Sequence, residues 1–387
     1  MRRAATWSLA AAFAATAVFA TAAHSREPTG NIVADAFLRT LEQNGYQDVT
    51  TGTVTRDSGE TVLAGISAKN ASGAAVTIEE VTIQGGLINA DNELRAEVIV
   101  YTDLQMDDPA AGGQSSVGKI TVTAPRFPVG VTSDVALTSF LGEFDALALE
   151  SVAMAVPDGG DITVKSMTAE VSERDLAVAA SGKFAVDDFI LDVSMMDPEA
   201  VAQLNALGYD ALTIDLSGDA RWEAQSGRAT VSDLSVSVVD LGGLSLIATI
   251  DGLTPENVTA LSAGVNDFNQ LLTVLQSVTV GAMTLTYEDD GLTNRVLDAT
   301  TKQTGEARQT LVDGLLTALS QATGTLGDAD LEQSVQTAAR TFLNDPGTIE
   351  LNAAPAAPIP MAQLIGAAMM SPQMVPQLLN LTITARP

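Results

Sequence analysis

Apolar residues fall at i, i+2, i+5 and i+7 in three stretches of this chain: Val76, Ile78, Val81 and Ile83; Ile162, Val164, Met167 and Ala169; and Ala229, Val231, Leu234 and Val236. Plain alternation marks a strand with one buried face, because successive side chains point to opposite sides. A slip of one residue sends the second half of such a strand to the wrong face unless the backbone absorbs the extra residue in a bulge or bend. The same slip three times therefore demands strands that are locally irregular and still face one core. Gly73, Gly160 and Gly227 stand shortly before the three sets. Each set reads as a β-hairpin module opened by a turn.

Further Val/Thr/Ile/Ser-rich runs alternate in the same way, at Glu93–Val100, Lys119–Thr123, Leu212–Trp222 and Leu244–Ile250, with turns such as Asp57-Ser58-Gly59 and Asp290-Gly291 between runs. Helix punctuation interrupts them. Around 31–44, Ile32, Val33, Ala36, Phe37 and Leu41 recur at helical spacing before Asn44-Gly45. Around 197–207, Asp197 is a natural N-cap, Pro198 a first-turn residue and Gly208 a stop. Around 254–276, Thr254-Pro255 opens a stripe of Val258, Leu261, Val265, Phe268, Leu272 and Leu275. The first two helices lead into the same order of residues, Gly45-Tyr46-Gln47-Asp48-Val49 and Gly208-Tyr209-Asp210-Ala211-Leu212, and Gly142-Glu143-Phe144 makes a third, weaker start.

From about 291 the pattern becomes helical, with stripes Leu311–Leu319 and Leu331–Phe342. Asp330 with Gln333 resembles a capping box for the second stripe, and Asn344-Asp345-Pro346-Gly347 stops it. A Pro/Ala run, an apolar helix over 361–370 and a closing strand at Leu379–Thr384 complete the chain. The expected fold is mainly β with helices (α+β): repeated antiparallel hairpin modules, each introduced by a helix or turn, and a helical C-terminal region. The expected divisions are 1–25, 26–195, 196–290 and 291–387.

The first division reads as a secretory signal peptide. Arg2 and Arg3 precede the apolar run Leu9–Ala20, and Ala20-Thr21-Ala22 fits the small-residue cleavage rule. The destination implied is the periplasm or the medium. No later stretch offers 18 uninterrupted apolar residues, so no transmembrane span is expected in the mature protein.

Composition narrows the chemistry. Cysteine is absent, the one histidine is His24 at the end of the leader, and 48 acidic residues face 19 basic ones for a formal charge of −29. A mature body without histidine or cysteine lacks the usual Ser-His-Asp, Cys-His and HExxH machinery. No phosphate-binding glycine motif occurs, and an acid excess of this size repels nucleic acid. Paired acids at Asp107-Asp108, Asp187-Asp188 and Asp289-Asp290 leave a carboxylate hydrolase open, although solvated turns account for them. The expectation is a protein that is not an enzyme and carries no metal or cofactor. Trp222 sits in an alternating strand beside the third slipped set. The surface proposed for an apolar ligand, or for packing, is Val231, Leu234, Val236 and Trp222. The methionines Met361, Met369, Met370 and Met374 form a second candidate apolar surface, against ordinary core packing.

The signal peptide, the Gly208–Leu212 element after a capped helix, the hairpin Gly227–Val238 and the tail Phe342-Leu343-Asn344-Asp345-Pro346-Gly347 with its Pro/Ala run together resemble uncharacterised exported proteins of Gram-negative bacteria, alphaproteobacteria above all. More loosely, the chain is similar to YdgA-like and AsmA-like envelope proteins. AsmA-like proteins are linked to envelope lipid handling through elongated β surfaces with an apolar groove. The resemblance supplies no catalytic residue, and a cleavable leader departs from the N-terminal anchor of that group. It implies a non-enzymatic envelope protein binding an apolar or lipid ligand. The alternatives are a structural or protein-interaction protein of the envelope, with its helical tail docking an envelope partner, and the carboxylate hydrolase.

Overall fold

The computed structural model describes residues 26–70, 73–108, 113–127, 141–156, 160–175, 178–262, 274–324 and 328–387. The leader, His24 and the middle of the 254–276 stripe (Val265, Phe268 and Leu272) lie outside the described residues. The chain divides into two compact units, Met1–Glu170 with Val186–Met195, and Val171–Ala185 with Met196–Pro387.

The first unit opens with α1 (Ile32–Gln43). Asn31 caps it, its side chain accepting from the Val33 and Ala34 amides. The strands are β1 (Gln47–Thr50), β2 (Val54–Asp57), β3 (Glu60–Lys69), β4 (Ala75–Gln84), β5 (Leu87–Ile88), β6 (Leu94–Arg95), β7 (Val98–Asp108), β8 (Gly113–Thr123), β9 (Arg126–Phe127), β10 (Ala146–Ala155), β11 (Asp161–Asp175) and β12 (Val178–Asp192). β11 and β12 contribute residues to both units. The order β1-β3-β4-β7-β8-β10-β11-β12 is that of successive hairpins, and β5, β6 and β9 make a small sheet of their own. Pairing is antiparallel from β1 through to β11. α1 buries Phe37, Leu38 and Leu41 in one core with Leu63, Ile83, Ile99, Tyr101 and Val122. Phe37 meets Tyr101 and Phe127 with ring centroids 6.0 and 6.5 Å apart, tilted against the first and edge-on to the second, the latter an arrangement favoured by aromatic quadrupoles.

The slip in the sequence has a concrete form here. The pairs Ala64↔Glu80 and Ile66↔Ile78 flank an unpaired level holding Gly65 and Glu79. The same level continues through Asp103, Gly118, Ser151 and Lys165, each strand omitting one residue from its ladder without a change of register. Backbone φ is positive in β3, β7, β10 and β12, at Gly65 (66°), Asp103 (48°), Ser151 (57°) and Asp188 (49°). Lys165 Nζ donates to Asp188 Oδ2 at 3.0 Å. One residue turned this way reverses the alternation of its strand. Because the strands reverse together, the ladder resumes intact and the core face is regained. Val76, Ile78, Val81 and Ile83 are accordingly all buried.

The second unit contains α2 (Pro198–Ala206), β13 (Ala211–Glu223), β14 (Arg228–Val238), β15 (Gly242–Asp251), α3 (Pro255–Ser262), β16 (Thr279–Asp289), α4 (Leu292–Thr304), α5 (Arg308–Thr323), α6 (Ala329–Asn344), β17 (Thr348–Ala353), β18 (Ile359–Pro360), α7 (Met361–Met370), α8 (Met374–Leu379) and β19 (Leu381–Arg386). Its strands run β12-β13-β14-β15-β16-β17-β19, with β18 beside β16. The mainly antiparallel fold with a helical C-terminal region agrees with the sequence expectation. α1 and α2 also end alike. Gly45 N and Tyr46 N donate to Glu42 O and Leu41 O, and Gly208 N and Tyr209 N donate to Asn205 O and Leu204 O. With φ of 88° at Gly45 and 92° at Gly208, both ends are Schellman caps, which need a left-handed residue.

One local expectation requires correction. The cap of α6 is Asp328, whose carboxylate accepts from the Leu331 amide, and Asp330 lies inside the first turn. α4 falls in the expected helical C-terminal region, without an apolar stripe of its own in the sequence reading, and begins where Asp289 gathers the Thr293 amide and hydroxyl, at 2.9 and 2.7 Å, and the Gly291 amide at 3.0 Å. No described helix is long and apolar enough to cross a membrane.

Candidate functional site

Cross-strand partners in an antiparallel sheet present their side chains to the same face, so register assigns faces in the second unit. One row runs Leu216, Val236, Leu244, Tyr287, Ile349 and Ala385 across β13, β14, β15, β16, β17 and β19. Another joins Leu246, Leu285, Leu351 and Ile383. A third joins Ala220, Val231, Ala248, Met283, Ala353 and Leu381. This face is apolar. The opposite face carries Ser217, Ser235, Ser245, Thr286, Glu350 and Thr384 in one row. There Ser217 Oγ donates to Asp233 Oδ2 at 2.8 Å and lies 2.7 Å from Ser235 Oγ.

The apolar face is covered at one end. Phe342 of α6 packs on Tyr287, centroids 5.9 Å apart, and α6 lies against β17 and β19. Leu364 of α7, with Val375 and Leu378 of α8, joins Met283, Ala353 and Leu381. At the other end the face is open. Leu234 and Leu244 are 45% and 42% exposed, and Phe184 of β12 is 44% exposed. Phe184 lies over Gly218, where a Cβ would collide with its ring. Gly218 is the cross-strand partner of Leu234, so the two exposed side chains flank one gap in the sheet surface. Phe184, Leu234, Val236 and Leu244 thus form a contiguous apolar patch over β12–β15.

All four residues singled out in the sequence fall on this face. The pairs Asp219↔Asp233 and Ala220↔Val231 leave Ser232 as an extra residue on β14. That bulge brings Val231 and Leu234 to the same side, and unlike the level line of the first unit it shifts the register. Trp222, paired with Ala229, shares the face, but its indole N–H donates to Leu253 O at 2.7 Å and its ring is half-buried. Trp222 therefore anchors the β15–α3 connection at the margin of the patch. Sequence reasoning missed Phe184 and Leu244. Phe184 stands in the strand after the second slipped set, and Leu244 follows the Gly242-Gly243 pair. Register unites Leu244 with β14, and the position of the Phe184 ring over Gly218 brings Phe184 beside Leu234.

The acids of two of the three pairs, Asp187-Asp188 and Asp289-Asp290, have structural partners. Asp187 Oδ2 accepts from Ser166 Oγ at 2.6 Å. Asp290 Oδ2 accepts from the Asp240 amide at 3.1 Å. Burial works to raise the Asp289 pKa, but the hydrogen bonds from Thr293, Gly291 and Tyr287 outweigh it and hold the carboxyl below its usual value. Tyr287 itself is pushed up to about 12, by burial first and then by the adjacent Asp289 charge. A different pair of acids is in hydrogen-bond contact. Glu79 and Asp103, on the unpaired level of the first unit, share a hydrogen bond that raises Glu79 above the ordinary range, with their like charge adding to it. They line an open depression with Gly65, Ser67, Thr77 and Gln105. Among the described residues no group of three or more His, Cys, Asp or Glu is placed to hold a metal ion.

A family model described as an uncharacterized protein matches residues 235–386, from the second half of β14 to β19. The match includes Val236, Leu244 and the helices that cover the far end of the apolar face. No curated protein matches the chain.

Proposed function

We propose that this protein is a non-enzymatic component of the cell envelope that holds an apolar ligand, such as a lipid acyl chain, against the open end of the apolar face on β12–β15. The observation that carries this reading is that one continuous sheet face is roofed by helices at Tyr287 and Met283 and exposed at Phe184, Leu234 and Leu244. Exposed apolar residues scattered singly are ordinary; a contiguous set on one face marks a binding surface. The leader at residues 1–25 supports delivery to the envelope, and the lack of histidine and cysteine after it supports a role in binding.

A polyene fatty acid that fluoresces in apolar surroundings tests the reading. Titration of the wild-type protein is expected to saturate. The double variant Leu234→Gln/Leu244→Gln is expected to bind at least about tenfold more weakly, each leucine contributing roughly 1.5–3 kcal/mol when fully covered. Equal affinity in the variant, or no saturable binding by the wild type, contradicts it. A second reading, a protein-interaction role for the helical tail, is favoured by Val296 of α4 and Leu315 of α5, which are 42% and 49% exposed.

A further inference from the structure

Residues 351–385 contain no charged side chain, in a chain with 48 acidic residues. At the middle of this run, α7 buries none of its residues. Met369 and Met370 at its end are 82% and 87% exposed, Met374 at the start of α8 is 48% exposed, and Ile365 is 41% exposed. These side chains stand on a firm base. Leu364, Val375 and Leu378 pack with Ala353, Ile359 and Leu379. The turn between the helices is closed by Ser371 N donating to Ala367 O at 2.8 Å and Met374 N to Ser371 O at 2.8 Å.

We infer that the α7–α8 tip is a bilayer-docking surface that places Met369, Met370 and Met374 at the headgroup–acyl boundary. Three features favour a lipid surface over a protein partner. Met369 and Met370 project almost fully into solvent, so they offer a plug and not a pocket. Four large side chains fall far short of the roughly 20–30 residues a side that a stable protein interface uses, whereas a bilayer accepts a small apolar insertion without a complementary surface. The missing charge is also selective. A net charge of −29 repels anionic headgroups, and the tip belongs to the longest run of the chain that adds nothing to that repulsion. Flexible thioethers suit an irregular acyl environment. No described helix is long enough to span a bilayer, so the contact is interfacial.

The test is vesicle flotation with protein expressed from Arg26, so that the apolar leader cannot supply the binding. Wild-type protein is expected to float with phosphatidylcholine vesicles. It is expected to float less when phosphatidylglycerol is added at low ionic strength, and to recover as salt screens the repulsion. M369Q/M370Q is expected to lose at least about fivefold of the bound fraction, with the circular dichroism and thermal transition of the wild type. The sheet-face variant Leu234→Gln/Leu244→Gln is expected to float normally, which separates this inference from the ligand reading. Wild type left in the unbound fraction, as an apolar protein partner would predict, overturns the inference. So does undiminished flotation of M369Q/M370Q, or loss of flotation in the sheet-face variant.

Discussion

Two carboxyls of this acidic protein respond to folding in opposite senses. Asp289 has its pKa lowered because Thr293, Gly291 and Tyr287 donate to the charged form and outweigh burial. The stability it contributes is present above the unfolded-state value of 3.8 and is lost as pH falls through the lower folded value. Glu79 runs the other way. Its hydrogen bond and like charge with Asp103 raise its pKa above 4.5, so the folded state gains relative stability as pH falls through the raised value and loses it as pH rises. Urea unfolding over a pH series checks both. Asp289→Asn is expected to flatten the acid-side loss, and Glu79→Gln to stabilise the protein at neutral pH and flatten the gain on acidification. Unchanged pH profiles would contradict these roles. At this scale the sequence was legible where chemistry is local. Asp197 accepts from the Glu199 and Ala200 amides as a cap should. Asp328 and Asp330 both precede the apolar stripe of α6, and only the backbone distinguishes which of them caps it. The Glu79–Asp103 pair was illegible because it depends on strand register and on a positive φ at Asp103 that nothing in its residue type announces.

Two kinds of irregularity serve the same slipped pattern in the strands. In the first unit the extra residue occurs at one level in neighbouring strands and register is kept. In the second, Ser232 is an extra residue on β14 and register moves by one against β13, and β16 likewise carries one extra residue against β15 between Val280 and Met283. The outcome is shared: apolar residues on both sides of the slip face one way. Ser151 offers a direct probe of the level line. A β-branched residue at its φ of 57° is strained, so Ser151→Val is expected to cost roughly 1–3 kcal/mol, while Ser151→Gly stays within about 1 kcal/mol of wild type. Urea midpoints measure both, and a harmless Ser151→Val would contradict the reversed-strand geometry. The slip and the Schellman ends of α1 and α2 were legible because period and glycine carry them. α4 was not. Its sequence, Leu-Thr-Asn-Arg-Val-Leu-Asp-Ala-Thr-Thr-Lys-Gln-Thr, is thin in strong helix formers, and the Asp289 hydrogen bonds and the packing of Leu297 against Val312 and Leu316 support it.

In the protein as a whole, hydrophobic patterning specified the class of fold, and the assignment of faces required the structure. Val231, Leu234, Val236 and Trp222 were recognisable as one strand-borne set because they belong to one hairpin. The full patch was not, since Leu244 reaches it through cross-strand register and Phe184 through the position of its ring over Gly218. The central claim is that the exposed patch at Phe184, Leu234 and Leu244 carries a ligand in the envelope. Native mass spectrometry of the protein recovered from its cellular compartment, followed by organic extraction, tests it most directly. The account predicts a population carrying a defined number of lipid-sized adducts that Leu234→Gln/Leu244→Gln abolishes. A bare mass for the wild type, unchanged after incubation with extracted envelope lipid, would contradict it.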